Sequence, residues 1–428
     1  MYLTWFQIVR LGFVQMALGA IVVLTTSTLN RLMVVEFALP AVLPGALVGL
    51  HYGIQLSRPK WGFISDKGGN RTAWIIGGMA VLALGGLLAA YAVTLFTASY
   101  ALALGLSLLA YAAIGLGVGA SGTSLLALLA TTTAPNRRAA AATITWLMMI
   151  FGIALTAGLS GGFLDPYSPA RLMAVVAVVV TAAMLLTIVA VGRIERGLIV
   201  TEQEPATPFM AGLREIWAEP RARNFTLFVF LSMNAYFMQE LILEPYAGLV
   251  FNFTPGQSTQ LSGAQNGGVF LGMLTVGIMA TGLKRGSLRG WVTAGCLGSA
   301  ALLGLIALNG TGVSFAPLTA LVTGLGFFNG MFAVAAIGSM MTLASDGRER
   351  REGTRMGLWG AAQAIAAGFG GLTGAAAVDI LRTTMPDGAA FGAVFTFEAF
   401  LFVAAALMAL RILDRTTAQG SPALVPGE

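Results

Sequence analysis

The chain has 428 residues, 57% of them hydrophobic and 10% charged, with a mean hydropathy of +0.82 and a formal net charge of +6. A soluble chain of this length would carry far more charge, so the composition describes a protein dissolved in lipid and excludes an ordinary soluble enzyme. One cysteine, Cys296, excludes an intrachain disulfide, and 55 glycines suit membrane helices whose backbones approach closely.

At the N-terminus there is no short apolar core behind a basic leader and no small-residue cleavage site, so the first span is expected to stay in place. Taking about 20 apolar residues per crossing, six spans are expected at 11–35, 38–57, 73–95, 100–131, 140–163 and 171–192. After a polar segment, six more are expected at 224–250, 258–283, 290–309, 313–343, 354–381 and 390–410. The expected architecture is an all-α polytopic membrane protein of 12 transmembrane helices, with a six-helix bundle over 1–195, a linker over 196–222, a second bundle over 223–412 and a tail over 413–428.

The basic residues decide orientation and partner class together. With the N-terminus inside, only Arg31, Arg171 and Arg382 of the 24 Lys and Arg fall on the outer side, so both termini are expected in the cytoplasm. Positive charge gathered at one membrane face explains the net charge without nucleic acid. Within the linker, Thr207 can cap a short helix, Pro208 suits its first turn, and Phe209, Leu213, Ile216 and Trp217 share one face, which predicts an interfacial helix. The two halves read as a degenerate repeat: Arg10 to Glu36 parallels Arg223 to Glu244 and Pro245, each followed by a proline-containing break.

Between the second and third spans lie Gly62, Asp66, Lys67, Gly69 and Arg71, a pattern that needs tight turns and a fixed arrangement of acid and base. It resembles the signature loop of the major facilitator superfamily, and this resemblance implies two six-helix bundles with a central ligand site. It further implies that Asp66 faces the N-terminus of the eleventh helix, near Gly353 and Thr354, and holds the cytoplasmic side shut in one state. In the second half, Gly282, Lys284, Arg285 and Arg289 occupy the corresponding position without the acid.

Three stretches narrow the resemblance: 29–41 (LNRLMVVEFALPA), 50–74 (LHYGIQLSRPKWGFISDKGGNRTAW) and 238–248 (MQELILEPYAG). Over nearly the whole chain, the protein resembles the bacteriochlorophyll-delivery branch of that superfamily, the light-harvesting assembly proteins of the PucC and LhaA type. The resemblance implies bacteriochlorophyll as ligand or cargo. Its implied partners are light-harvesting apoproteins, the reaction-centre core or pigment-synthesis enzymes. The implied setting is the inner membrane of a phototrophic bacterium and its intracytoplasmic extensions.

His51, the only histidine, lies seven residues before Arg58, so it sits ~10 Å inside the end of the second span. Three roles are open to it: axial ligand to the magnesium of a pigment, hydrogen-bond partner between helices, or proton carrier. Arg31 and Glu36 near the end of the first span, and Gln239, Glu240 and Glu244 in the seventh, form a candidate outer polar cluster in which Arg31 can pair with Glu240 or Glu244. Gly115 and Gly119, and Gly370 and Gly374, have the spacing of close helix packing, and Asp379 and Glu398 near span ends receive no role. The run from Gly158 to Gly162 resembles an antiporter signature that lacks its proline. With no phosphate-binding loop, no paired cysteines and one histidine, no enzyme constellation is legible. A secondary transporter driven by protons through Glu36, Glu240 or Glu244, and a non-transporting assembly scaffold, are the alternatives to pigment delivery.

Overall fold

The computed structural model describes residues 2–57, 70–134, 137–195, 217–283, 285–313, 316–345 and 352–412. Gly62, Asp66, Lys67 and Gly69 of the signature-like loop, Lys284 of its second copy, the expected interfacial helix up to Ile216, and the tail lie outside these residues.

Among the described residues there are twelve helices and no strand. The first half comprises α1 (Trp5–Glu36), α2 (Val42–Gln55), α3 (Arg71–Thr94), α4 (Tyr100–Thr132), α5 (Arg138–Leu164) and α6 (Pro169–Val191). In the second are α7 (Pro220–Phe251), α8 (Pro255–Val276), α9 (Leu288–Asn309), α10 (Leu318–Ser345), α11 (Glu352–Arg382) and α12 (Asp387–Ile412). Ten of the twelve are long and apolar enough to cross a bilayer. The exceptions have separate reasons. Only 14 residues of α2 are described as helix, and α8 carries Gln257, Gln260, Gln265 and Asn266 between its start and its middle turn.

Helix ends follow local chemistry. Thr4 and Thr254 cap α1 and α8 in reciprocal boxes with Gln7 and Gln257, while Ser168 and Ser287 cap α6 and α9. Pro169 and Pro255 occupy first-turn positions, where a missing N–H costs nothing.

Packing repeats from half to half. In the first, α1 packs on α5 and α6, α4 on α2 and α3, and α3 on α6. Adding six to each helix number gives the packing of the second half: α7 on α11 and α12, α10 on α8 and α9, α9 on α12. Each half has its own apolar core, and the two cores scarcely share members: Leu241 joins the first, Val34 and Ala41 the second. The main contacts between halves obey the same rule, since α5 packs on α8 and α11 on α2. The architecture is that of a multi-pass membrane protein built from two pseudo-symmetric six-helix bundles.

Candidate functional site at the seam between the halves

Ordinary α-turns do not persist to the end of α1. They widen to π-type turns at Leu24–Thr28 and Leu32–Glu36, flanking Leu29–Arg31. Wide turns of this kind disrupt the regular ladder and often mark functional positions. In the first, Tyr111 Oη on α4 donates to the Thr25 carbonyl at 2.7 Å.

Opposite, α7 carries Pro245 within its helix. Proline has no N–H, so the Leu241 carbonyl four residues earlier loses its usual donor. Asn30 on α1 supplies one: its Nδ2 donates to Leu241 O at 2.6 Å. A backbone defect in one half is thus satisfied by a side chain of the other, as backbone in a membrane requires.

Next to this contact, hydroxyls pair across the seam. Ser27 Oγ lies 3.0 Å from Ser262 Oγ, and Thr28 Oγ1 lies 3.2 Å from Thr259 Oγ1. All four side chains are buried.

Arg31 is 2% exposed. Its Nη1 donates to Glu36 Oε1 at 2.5 Å and its Nη2 to the Phe253 carbonyl at 2.6 Å. The expected pairing with Glu240 or Glu244 is therefore not the one found: the partner is five residues along the same helix, reached because the wide turn at Leu32–Glu36 brings Glu36 back beneath the guanidinium.

Glu244 is as buried as Arg31, at 2%, and no donor meets either carboxylate oxygen at full hydrogen-bond geometry. The hydroxyls of Ser27, Ser262 and Ser258 are its looser hydrogen-bonding neighbours, and Arg31 acts on it through space. Gln239 is likewise buried with both amide atoms unpartnered, and Glu240, one turn before Glu244, is half-buried. Glu398 on α12 is fully buried with both oxygens unpartnered.

His51 is 1% exposed on α2, with Nε2 2.7 Å from Gln55 Nε2 and its ring edge-on to Tyr52 at 4.9 Å between centroids. Tyr52 continues the contact across the seam to Phe237 of α7, at 5.9 Å. At this level Gly115 lets α4 come close, because a Cβ there would meet the His51 carbonyl at 2.7 Å. Arg71 starts α3 and belongs to the first half's own fastening: Glu195 accepts from the backbone N–H groups of Arg71 and Thr72 at 3.0 and 3.2 Å, and the Arg71 guanidinium reaches the Thr131 hydroxyl.

Two further carboxylates bridge the halves and were given no role by sequence reasoning. Asp165, just past the end of α5, accepts from Gly256 N at 3.0 Å and from Thr254 Oγ1 at 2.5 Å. Asp379, near the end of α11, accepts from Ala41 N at 2.9 Å and Val42 N at 2.7 Å. A signal was available: an acid at the C-terminal end of its own helix opposes that helix's dipole and is better placed serving another element.

The described residues hold no group of three or more His, Cys, Asp or Glu arranged for a metal ion. What the seam offers instead is a band of hydroxyls and amides, the Arg31–Glu36 ion pair and the buried Glu244 carboxylate among serine hydroxyls, between two bundles.

Comparison with solved structures finds this fold. A bacterial homologue of the human lysosomal transporter Spinster, in an inward-facing and unoccupied conformation, superposes with a TM-score of 0.64 at 15% identity, covering 95% of each chain. A mutant of the peptide transporter POT in complex with sulfate gives 0.68 at 13% identity, covering 96% of this chain and 94% of the other. At such identities the likeness concerns the fold alone. Among sequence relatives, "Bacteriochlorophyll synthase 44.5 kDa chain" of Rhodobacter capsulatus is 64% identical over 430 residues, spanning 100% of both chains. "Protein PucC" of Cereibacter sphaeroides is 31% identical over 424 residues, spanning 93% of this chain and 90% of the relative. With the family model described as "PUCC protein" matching residues 28–417, the chain belongs to the PUCC protein family.

Proposed function

We propose that this protein holds bacteriochlorophyll and passes it on during the assembly of light-harvesting or other photosynthetic pigment–protein complexes. The observation that carries this reading is the end-to-end identity of 64% with a relative whose name is that of a bacteriochlorophyll synthase chain, joined to the membership of the PUCC family over 28–417. The role is one of handling rather than catalysis. The basic end faces the cytoplasm of a phototrophic bacterium, and the partners are antenna apoproteins, the reaction-centre core or the enzymes that make the pigment.

The geometry supports handling in a specific way. A pigment with a large apolar ring and tail needs apolar walls and a few polar contacts, and the seam between α1, α7 and α8 supplies the polar contacts within two greasy bundles. His51 sits with Gln55 and Tyr52 one helix away, and its Nε2 would have to exchange the Gln55 contact in order to hold pigment magnesium.

The test is purification of the detergent-solubilised protein from a pigment-making host. Bacteriochlorophyll is expected to co-purify with it, and not with an unrelated facilitator prepared in the same way. Equal pigment in the two preparations would remove the reading. Replacing His51 by Ala then assigns the ligand: unchanged occupancy and absorption spectrum would exclude His51 while leaving pigment handling intact.

Glu244, buried with no ion-pair partner among the described residues, favours a second reading, a proton-coupled carrier of a small amphipathic molecule. Its mark would be uptake into pigment-free vesicles that depends on a proton gradient and is lost in Glu244→Gln.

A further inference from the structure

The two bridging carboxylates are related by the same rule that relates the halves. Asp165 closes the fifth helix of the first bundle and reaches α8, the second helix of the other. Asp379 lies in the fifth helix of the second bundle and reaches the start of α2, the second helix of the first. Their sequence contexts repeat too: Gly158-Leu159-Ser160-Gly161 precedes Asp165, and Gly371-Leu372-Thr373-Gly374 precedes Asp379.

In each case the acid does what the receiving helix leaves undone. The N-cap of α2 is Ala41, whose side chain can accept nothing, and no side chain of its own half caps that helix. Asp379 accepts from the first two free N–H groups there. On α8 the Thr254 box satisfies Gln257 N, and Asp165 takes the remaining Gly256 N together with the Thr254 hydroxyl. Close approach is built in, since a Cβ on Gly256 would lie 2.3 Å from Asp165 Oδ2 and 2.4 Å from the Gly161 carbonyl. Arg171 holds the turn that carries Asp165, donating to the Asp165 and Pro166 carbonyls at 2.5 and 3.0 Å. Both acids are half-buried, so the bonds are neither sealed in the core nor fully open to water. Unlike the hydroxyl pairs deeper in the seam, these are charge-assisted contacts to helix N-termini and, with the Arg31 bond to the Phe253 carbonyl, belong to the strong hydrogen bonds of the seam.

We propose that Asp165 and Asp379 are a matched pair of releasable caps that hold shut the face of the molecule at which α1 ends, and that opening this face requires both to let go. The proposal is independent of which ligand the protein handles. Because each acid caps a helix of the opposite half, parting the halves uncaps two helices at once. The closed face therefore opens in one concerted step.

The full chain with Cys296→Ala provides a background for labelling. Spin labels at Thr97→Cys and Thr311→Cys, exposed positions on this face in opposite halves, report the separation by pulsed dipolar spectroscopy. Asp165→Asn and Asp379→Asn keep the side-chain shape but lose the charge. Each alone is expected to raise the open-to-closed ratio roughly 5- to 30-fold, and the pair together by about the product, since the sites are separate. Maleimide labelling of Ser258→Cys, a fully buried seam position, is expected to accelerate in the same order. Elution volume and helicity confirm that each variant is folded, and the single variants suffice if the double one is not. Asp387→Asn, on an acid paired with Arg382 inside the second half, is expected to change neither readout. Unchanged distances and labelling in the folded cap variants would overturn the proposal, as would an equal opening by Asp387→Asn.

Discussion

Arg31 and Glu244 face the same seam with the same 2% exposure, yet the protein treats the two charges differently. Arg31 has a carboxylate and a carbonyl at 2.5 and 2.6 Å. Glu244 has the Ser27, Ser262 and Ser258 hydroxyls beside it, none at full bonding geometry, and no ion-pair partner among the described residues. The Arg31 Nε is left without a partner among them, but a charge held by an ion pair and a carbonyl of the other half serves as a fastening. A buried carboxylate left open is costly to hold, and the place where a ligand, a proton or a moving helix can act is the place where that cost remains.

The sharpest way to break this contrast is Arg31→Leu. Removing one partner of a buried pair strands the other, so a loss of about 3–5 kcal/mol is expected, read as a fall in detergent-solubilised melting temperature; a change within error would mean that Arg31 fastens nothing. Next comes Gly256→Ala, where a methyl group has no room beneath Asp165 and Gly161. Overpacking of this kind costs roughly 1–3 kcal/mol, and adding Asp165→Ala should recover only part of the loss, because the Gly161 carbonyl still lies 2.4 Å from the new Cβ. A smaller effect, about 1 kcal/mol, is expected for Asn30→Ala. Here a double-mutant cycle sharpens the reading: Pro245→Ala restores an N–H for the Leu241 carbonyl, so Asn30→Ala should cost less in that background. Equal costs in both backgrounds would show that Asn30 does not serve that carbonyl. The smallest effect belongs to Glu244→Gln, expected to shift stability by less than about 1 kcal/mol. If Glu244→Gln destabilised as much as Arg31→Leu, the two charges would not differ in kind.

Much of the fold was legible because apolar runs of bilayer length leave few choices, and all twelve expected spans correspond to helices. Even α8, whose first half is too polar to stand out by hydropathy, was recoverable from its place in the repeat. The seam was legible only in part. Arg31, Glu36, Gln239, Glu240 and Glu244 stand out as ionisable or amide groups in apolar runs, but which of them meet depends on helix register. The wide turns of α1 change that register in a way that no side-chain pattern announces. Asn30 was invisible for a related reason: its partner is a carbonyl freed by a proline more than two hundred residues away. Asp379 received no role from the sequence and Asp165 no mention, since only the packing of α5 on α8 and α11 on α2 shows what lies opposite them.

Pigment handling by parting of the halves is tested most directly by locking the seam. Ser27 and Ser262, with hydroxyls 3.0 Å apart, are replaced by Cys in the Cys296→Ala background, and assembly of light-harvesting complexes is followed in cells with the bridge formed and then reduced. Assembly is expected to stop with the bridge and resume on reduction. Normal assembly with the bridge fully formed would contradict the account.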